Sequence, residues 1–196
     1  MLLAHSIRLN PNREQREYFA RAAGTARRVW NWALAEWQRQ SRSGVKPNVM
    51  DLKKQFNRIK YSAPTWLDSN GQPWLRAIHR DAHSQPFKDL GDAWKRYFEQ
   101  RHASPAVHPP RFKKKNQCKD SFYLANDRFR FKGMSVSLPK IGLVALSETL
   151  RWSGKIMGAR VSREANHWFY RFRLKCRTTH LTSDASGTPS LASTWA

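Results

Sequence analysis

The residues best able to do chemistry in this sequence lie near its middle, where basic and aromatic side chains follow a pair of prolines. The stretch reads Pro109, Pro110, Arg111, Phe112, Lys113, Lys114 and Lys115. Cationic side chains neutralise phosphate groups, and an aromatic ring set among them can stack on a base. The stretch therefore predicts a contact with nucleic acid, with Arg111 and the three lysines on phosphates and Phe112 as a stacking residue.

Four more residues extend this predicted interface. Lys140 is expected to contact phosphate, and Arg27 and Arg28, on the basic face of a helical pattern, are secondary phosphate contacts. Phe122 lies close to the lysines in the chain and is a second candidate for stacking.

The overall charge supports the same class of partner. Lys and Arg number 36 against 14 Asp and Glu, which leaves a net charge of +22. Such an excess indicates a polyanion, with nucleic acid first and an anionic membrane surface second. No window approaches the roughly 20 apolar residues of a spanning helix, and Met1 to Asn10 do not resemble a secretory signal. We expect no membrane partner and a prokaryotic cytoplasmic, nucleoid-associated location.

Other kinds of chemistry have little support in the residues. Cys118 and Cys176 lack the close second ligand of a zinc site, and His79 and His83 lack both a zincin glutamate and a third ligand. There is no phosphate-cradling glycine loop and no GxSxG elbow. Asp184 stands alone, whereas a metal-dependent nuclease needs several converging acids. The sequence predicts no catalytic residue, no metal and no cofactor.

Helical periodicity dominates the chain before the basic stretch. Apolar residues recur every three or four positions from Gln15 to Trp37, and Asn10 followed by Pro11 suggests the helix start. Asn48 is expected to cap a shorter helix. Because proline breaks a continuous helix, a new one is expected to begin at Pro86 and to run to Arg101.

Patterns typical of strands occur at the N-terminus and again after the basic stretch. Met1 to Leu9 suits one strand, and from Phe129 onward apolar and polar residues alternate. Ile156 to Arg163 and His167 to Lys175 are predicted to pair as a hairpin. Residues 104 to 177 hold 17 basic and 4 acidic residues, whereas 178 to 196 contain no Lys, Arg or Glu and are predicted to be disordered.

An ordered series of motifs resembles the OrfB/TnpB proteins of insertion-sequence transposons, relatives of the type V CRISPR effector nucleases. The first is similar to the family's "P-N-x-x-Q": Pro11, Asn12 and Gln15. The second is similar to "G-x-x-R-x-x-[YW]-N-W-A-L": Gly24, Arg27, Trp30, Asn31, Trp32, Ala33 and Leu34. Further on, the "P-R-F-K", "S-F" and "L-P-K-I-G" elements match at Pro110–Lys113, Ser121–Phe122 and Leu138–Gly142. The resemblance covers about residues 1 to 176.

The resemblance implies an α+β architecture in which a helical domain is inserted into a small antiparallel wedge-type β-barrel. Residues 1–10 would form the first barrel strand, 11–103 the helical recognition domain with the OrfB-type helix-turn-helix region, and 104–177 the rest of the barrel. A disordered tail, 178–196, would stand where the family has its RuvC-like nuclease domain. In the family these parts hold a guide RNA and read the target DNA, so guide-type RNA and target DNA are the implied partners.

The sequence departs from the family after the barrel. The family's first catalytic aspartate lies in a strand of the type "G-I-D-x-G", and Asp184, in Ser183–Gly187, does not match it. The prediction is therefore a truncated transposon-encoded protein that binds nucleic acid and is not itself an enzyme.

Three alternatives stay open at this stage. The chain could be the non-catalytic half of a split or frameshifted RNA-guided endonuclease, an unrelated basic DNA-binding regulator, or a decayed product without a stable fold. A "G-I-D" strand and a C-x-x-C pair in the downstream DNA would favour the first. A footprint at one operator without RNA would favour the second, and a cooperative thermal transition would exclude the third.

The charge pattern predicts that binding is strongly salt-dependent. Each phosphate contact releases counterions, so log affinity falls against log salt with a slope of roughly one per contact. Titration of RNA and duplex DNA at several salt concentrations measures this slope. Undetectable binding at low salt, or binding insensitive to salt, would contradict the prediction.

Overall fold

The chain folds as an α+β protein, as predicted. The computed structural model describes residues 2–102, 106–152 and 154–175. The segment 178–196, with its predicted disorder, and the residues Cys176 and Asp184 lie outside the described part of the chain.

Three α-helices and two short 3-10 helices come between the first strand and all later strands of the described chain. They are α1 (Arg13–Arg42), α2 (Val49–Ile59), the 3-10 turns Pro64–Trp66 and Trp74–Ala77, and α3 (Arg80–Gln100). The cap of α2 at Asn48 is confirmed, because its side chain accepts from the Met50 amide at 2.7 Å.

The start of α1 differs from the prediction by two residues. Asn12, not Asn10, is the N-cap. The Gln15 amide donates to Asn12 Oδ1 at 2.9 Å and the Asn12 amide donates to Gln15 Oε1 at 3.1 Å, so two otherwise unpaired donors are satisfied. Asn10 instead ends the first strand.

The predicted helix boundary at Pro86 is wrong, because α3 begins at Arg80 and runs through this proline. A proline inside a helix removes one hydrogen bond and usually destabilises it. Here Pro86 belongs to the buried face of α3, with Ala82, Phe87 and Leu90. Burial of that face offsets the lost bond.

In the described part of the chain, seven antiparallel strands form one sheet, in the order β2-β6-β7-β1-β5-β4-β3. Their bounds are β1 (Leu2–Asn10), β2 (Ser121–Leu124), β3 (Arg130–Lys132), β4 (Ser135–Leu138), β5 (Gly142–Leu146), β6 (Lys155–Glu164) and β7 (His167–Lys175). β1 lies in the centre, paired with β7 and, at Leu9 and Asn10, with β5. The β6–β7 hairpin is confirmed, and the helices are inserted between strands of a single sheet.

The predicted barrel is confirmed only as a curled antiparallel sheet. Within the described residues β2 and β3 are edges that do not pair with each other. The sheet is nevertheless strongly curved, because the Phe131 ring of β3 lies 5.7 Å from Tyr170 and 5.5 Å from Phe172 of β7. In a flat sheet these strands, four places apart, would be about 19 Å apart. The domain boundaries at 10/11 and 103/104 remain a prediction.

Helix α1 belongs to two hydrophobic clusters. Near its start, Tyr18, Phe19 and Ala22 pack against the concave face of the sheet. Near its middle, Val29 and Leu34 pack into a second cluster with α2 and α3. A helix of this length extends about 45 Å, so one rigid element joins both clusters.

A buried histidine reinforces the junction between the helices and the sheet. His79, just before α3, donates from Nε2 to the Tyr123 carbonyl oxygen at 3.1 Å, because a carbonyl can only accept. Its Nδ1 then accepts from the Tyr18 hydroxyl at 2.9 Å, and its backbone N–H donates back to that hydroxyl oxygen at 3.1 Å. The neutral ring thus ties α1, α3 and β2 together.

Two buried histidines predict that acid destabilises the fold. Burial lowers the pKa of His79, and burial, followed by the charge of Lys60, lowers the pKa of His83 to about 4. Between about 6.5 and 4 the unfolded chain binds more protons than the folded one, so stability is full above pH 6.5 and falls below it. We expect the free energy of unfolding of wild type to drop more than that of His83→Gln between pH 7 and pH 5. Urea titration measures the difference.

His167→Gln makes the same substitution at an exposed position and is the matched control. If His83→Gln and His167→Gln lost the same free energy over this range, the assignment to His83 would be wrong.

Candidate nucleic-acid interface

The predicted basic stretch is fastened to the middle of α1 by a two-way hydrogen bond. Asn31 Nδ2 donates to the Lys113 carbonyl oxygen at 2.9 Å, and the Lys113 amide donates to Asn31 Oδ1 at 2.8 Å. Next to it, Trp30 Nε1 donates to the Arg111 carbonyl oxygen at 3.0 Å. Three backbone groups of a proline-rich loop thus obtain fixed partners, which an irregular segment otherwise lacks.

Lys113 points into this contact rather than out of it. Its Nζ lies 3.8 Å from the centre of the Trp30 ring, a cation–π geometry. Burial lowers the pKa of Lys113. Its neighbours Arg111, Phe112, Lys114 and Lys115 are exposed, so four of the five residues predicted in this stretch are available to a ligand and Lys113 mainly holds the loop.

Arg27 is occupied by a partly buried carboxylate, that of Asp120. Its Nη1 lies 2.7 Å from Asp120 Oδ1, and Arg163 Nη2 lies 2.6 Å from the other oxygen of the same group. Only 18% of the Arg27 side chain is exposed. The network joins α1 to the segment before β2 and to β6, so the contact of Arg27 with phosphate stays a prediction that would require an exchange of partners.

Arg28 is exposed, and its guanidinium contacts two indole rings. Its guanidinium carbon lies 5.3 Å from the ring centres of both Trp66 and Trp74, and Nη2 donates to the Thr65 carbonyl oxygen at 2.7 Å. The remaining N–H groups of its fork are left for a ligand.

Two other predicted residues lie apart from this surface. Phe122 requires a correction: it is 1% exposed and packs against Phe19 in the core, so a base cannot reach it to stack. Lys140 is exposed but lines a cleft with Asn12 and Tyr18 near the start of α1. Along the helix, Tyr18 is about 20 Å from the loop contact at Asn31.

The structure also brings together a row of side chains that sequence reasoning did not select. Strand pairing aligns Tyr123, Arg160, Arg171 and Ser6 across β2, β6, β7 and β1. The adjacent row, Phe122, Val161, Tyr170 and Ile7, is buried in the core. Because successive residues of a strand point to opposite faces, the first row lies on the outer, convex face of the sheet.

Two arginines stand directly opposite each other in this row, namely Arg160 and Arg171. Like charges in that position are destabilising. Each is oriented by a carboxylate, since Arg160 contacts Asp89 Oδ2 at 3.0 Å and Arg171 contacts Glu164. Two positive groups are thereby held side by side and partly exposed.

A depression of about 640 Å³ opens over this row. Its floor has small residues, including Ala4 and Gly158, and Lys88 of α3 and Arg173 of β7 lie at its sides. Gly158 adopts φ +133°, and a Cβ there would lie 2.2 Å from the Tyr123 hydroxyl. Only glycine admits the tyrosine over the strand. The sequence signal that could have predicted this surface is the alternation of Arg171, Arg173 and Lys175 with apolar residues along β7.

Among the residues that the structure describes, no group of three or more His, Cys, Asp or Glu could hold a metal ion. In the same part of the chain no helix is both long and apolar enough to cross a membrane.

Comparison with known proteins identifies the N-terminal part. Residues 1–46 match the family model of the OrfB helix-turn-helix domain of IS605-type elements. This chain carries an OrfB-type helix-turn-helix domain. The matched residues contain β1, the whole of α1 and the four residues after it, and α2 begins three residues beyond the match.

Longer relatives extend the similarity beyond the OrfB domain. The chain is 26% identical over 176 residues to InsQ of Escherichia coli (strain K12), whose name gives it as a candidate RNA-guided DNA endonuclease; the match covers 86% of this chain and 39% of InsQ. Two Mycobacterium tuberculosis proteins with the same description are each 26% identical over 160 residues, 76% of this chain and 35% of theirs. The chain therefore matches well under half the length of these relatives.

The OrfB motif on α1 acquires a structural meaning here. Arg27, Trp30 and Asn31 of that motif are the residues that hold Asp120, Arg111 and Lys113. The motif joins the helix to the basic loop.

Asn31 offers a test of this junction. In Asn31→Asp the carboxylate still accepts from the Lys113 amide but faces the Lys113 carbonyl without a proton to donate. We expect a loss of about 1–3 kcal/mol in the free energy of unfolding and faster hydrogen exchange of the Lys113 amide, measured by urea titration and NMR.

Asn57→Asp, at an exposed position on α2, makes the same chemical change away from the loop and should leave both quantities close to wild type. Wild-type stability and protection in Asn31→Asp would show that the loop is held by other contacts.

Proposed function

We propose that this chain is a transposon-encoded nucleic-acid-binding protein that holds phosphates on two surfaces. The first surface is the loop at Arg111, Lys114 and Lys115, and the second is the outer sheet face around Arg160, Arg171 and Arg173. The OrfB-type domain, the named relatives and the net charge of +22 support this function.

The observation that carries the proposal is the facing pair of arginines, Arg160 and Arg171. Two arginines that face each other across neighbouring strands repel, and among the residues that the structure describes only Asp89 and Glu164 are paired with them to reduce this repulsion. A bound anion would reduce it further, which gives the pair a use. A polyanion that places phosphates over the depression neutralises both cations and releases condensed counterions.

The ligands we propose are a guide-type RNA and a target DNA. The support is the description of the relatives as RNA-guided DNA endonucleases. The wide, shallow basic surface suits backbone contacts more than base reading, since phosphate contacts position a ligand and base contacts specify it.

We further propose that binding by these 196 residues occurs without cleavage. The family's "G-I-D-x-G" strand is absent from the sequence, so cutting would depend on acids supplied by other residues or another chain. Incubation of the protein with labelled RNA and DNA in Mg²⁺ or Mn²⁺ should leave both ligands intact. A metal-dependent cleavage activity that co-purifies with wild type would contradict this part of the proposal.

The outer-face arginines predict a change in salt dependence. In Arg171→Gln and Arg173→Gln we expect weaker binding and a log–log salt slope smaller by about one per arginine removed. Fluorescence anisotropy with RNA and duplex DNA at several salt concentrations gives both values.

Arg13→Gln is the matched control, because Arg13 is highly exposed at the start of α1 and pairs with Glu17. Its slope should equal that of wild type. If Arg171→Gln and Arg173→Gln also kept the wild-type salt slope, the outer sheet face would not be part of the interface. If wild type bound neither RNA nor duplex DNA, the proposed function would be refuted.

A further inference from the structure

A ladder of three aromatic rings lies at the far end of the helices, away from the basic loop. Trp37 of α1 stacks on Trp94 of α3 with centroids 5.1 Å apart and planes 15° apart. Trp94 stacks in turn on Phe98, at 5.4 Å and 18°. Core aromatic pairs elsewhere in the described chain are mostly tilted or edge-on, such as Phe56 against Trp66 at 86°.

The ladder ends at the surface. Phe98 is 48% exposed, and all three rings line an open groove of about 590 Å³ between the end of α1, the start of α2 and the end of α3. Gly91 lets α3 pack closely against Val49 at the floor of this contact, because a Cβ there would lie 3.1 Å from the Val49 side chain.

The charged residues that line the groove have one sign. Its lining includes Lys46 and Lys95 and contains no carboxylate. The guanidinium of Arg101 lies 5.5 Å from the centre of the Phe98 ring. Lys95 approaches Glu99 only at 3.8 Å, with both side chains largely exposed. The groove therefore combines a half-exposed aromatic ring with positive charge, which complements an aromatic group attached to an anionic chain.

We propose that this groove binds an unpaired base of a single-stranded nucleic acid, which stacks on Phe98 and extends the ladder while Lys46, Lys95 and Arg101 contact the flanking phosphates. The inference rests on the proposed function, since it names a second contact for the same class of ligand. Base–aromatic stacking tolerates any base, because every base has a π face, so the site would read the presence of a base and not its identity.

The test separates stacking from phosphate binding by changing the ligand. Wild type is titrated with a labelled oligothymidylate and with a strand of the same length built of abasic units, which keeps the phosphates and removes the bases. We expect the thymidylate strand to bind at least about fivefold tighter, the lower range for one stacked base. Phe98→Ala should lose about fivefold or more of this preference while its binding to the abasic strand stays at the wild-type value.

Three further variants separate the loss of stacking from a loss of folding. Phe98→Leu keeps an apolar side chain without a π face and should also lose the preference, whereas Phe98→Trp should keep it. Met134→Ala removes an exposed apolar side chain from the turn between β3 and β4 and should behave as wild type. Circular dichroism establishes that each variant is folded.

The outcomes are distinguishable. If wild type binds both strands with salt-dependent, equal affinity, or if the Phe98 variants keep the wild-type preference, the stacking site is refuted and the proposed function stands. If wild type binds neither strand but still binds RNA or duplex DNA, the stacking site is refuted and the proposed function stands; if it binds none of these ligands, both fail. If Phe98→Leu changes only self-association in sedimentation, the groove faces protein and the inference is overturned.

Discussion

The packing of α1 against both hydrophobic clusters is the constraint on which the other features of the structure depend. Its first turns close the concave side of the sheet through Tyr18 and Phe19, and its middle supports α2 and α3 through Val29 and Leu34. Because the helix is packed both near its start and near its middle, its orientation in the molecule is fixed. Trp30 and Asn31 can therefore hold the basic loop by three hydrogen bonds, and a loop so held presents its cations without first paying an ordering entropy.

Carboxylates in this molecule orient arginines more than they cancel the total charge. Asp120 holds Arg27 and Arg163 in a partly buried network, and Asp89 and Glu164 set the directions of Arg160 and Arg171. With only 14 acidic residues against 36 basic ones, most cations are left for solvent or a ligand. Arginine therefore has two roles in this protein: Arg27 of α1 is held in a structural ion pair, whereas Arg160 and Arg171 on the sheet are partly exposed. Burial decides between these roles.

Similarity to the OrfB family and the geometry support each other at the same residues. The motif in α1 is the part of the chain that contacts the basic loop, so the matched region and the candidate interface are physically connected. Aromatic residues divide in a comparable way: Phe122 and Trp66 are buried, whereas Phe98 and Phe112 expose about half of their surface. Closeness to lysines in the sequence did not distinguish the buried aromatic residues from the exposed ones, because exposure depends on which face of a strand or helix packs against the core.

The sequence alone determined the α+β composition, the β6–β7 hairpin and the Asn48 cap, because alternation and capping chemistry are local properties. Tertiary structure decided the rest. Only strand pairing places Arg160 opposite Arg171, residues that are 11 apart in the chain, on one face of the sheet. Only packing keeps α3 continuous through Pro86, buries Phe122 and turns Arg27 and Lys113 inward. These features depend on long-range contacts, whose energies outweigh the local preferences that a sequence pattern records.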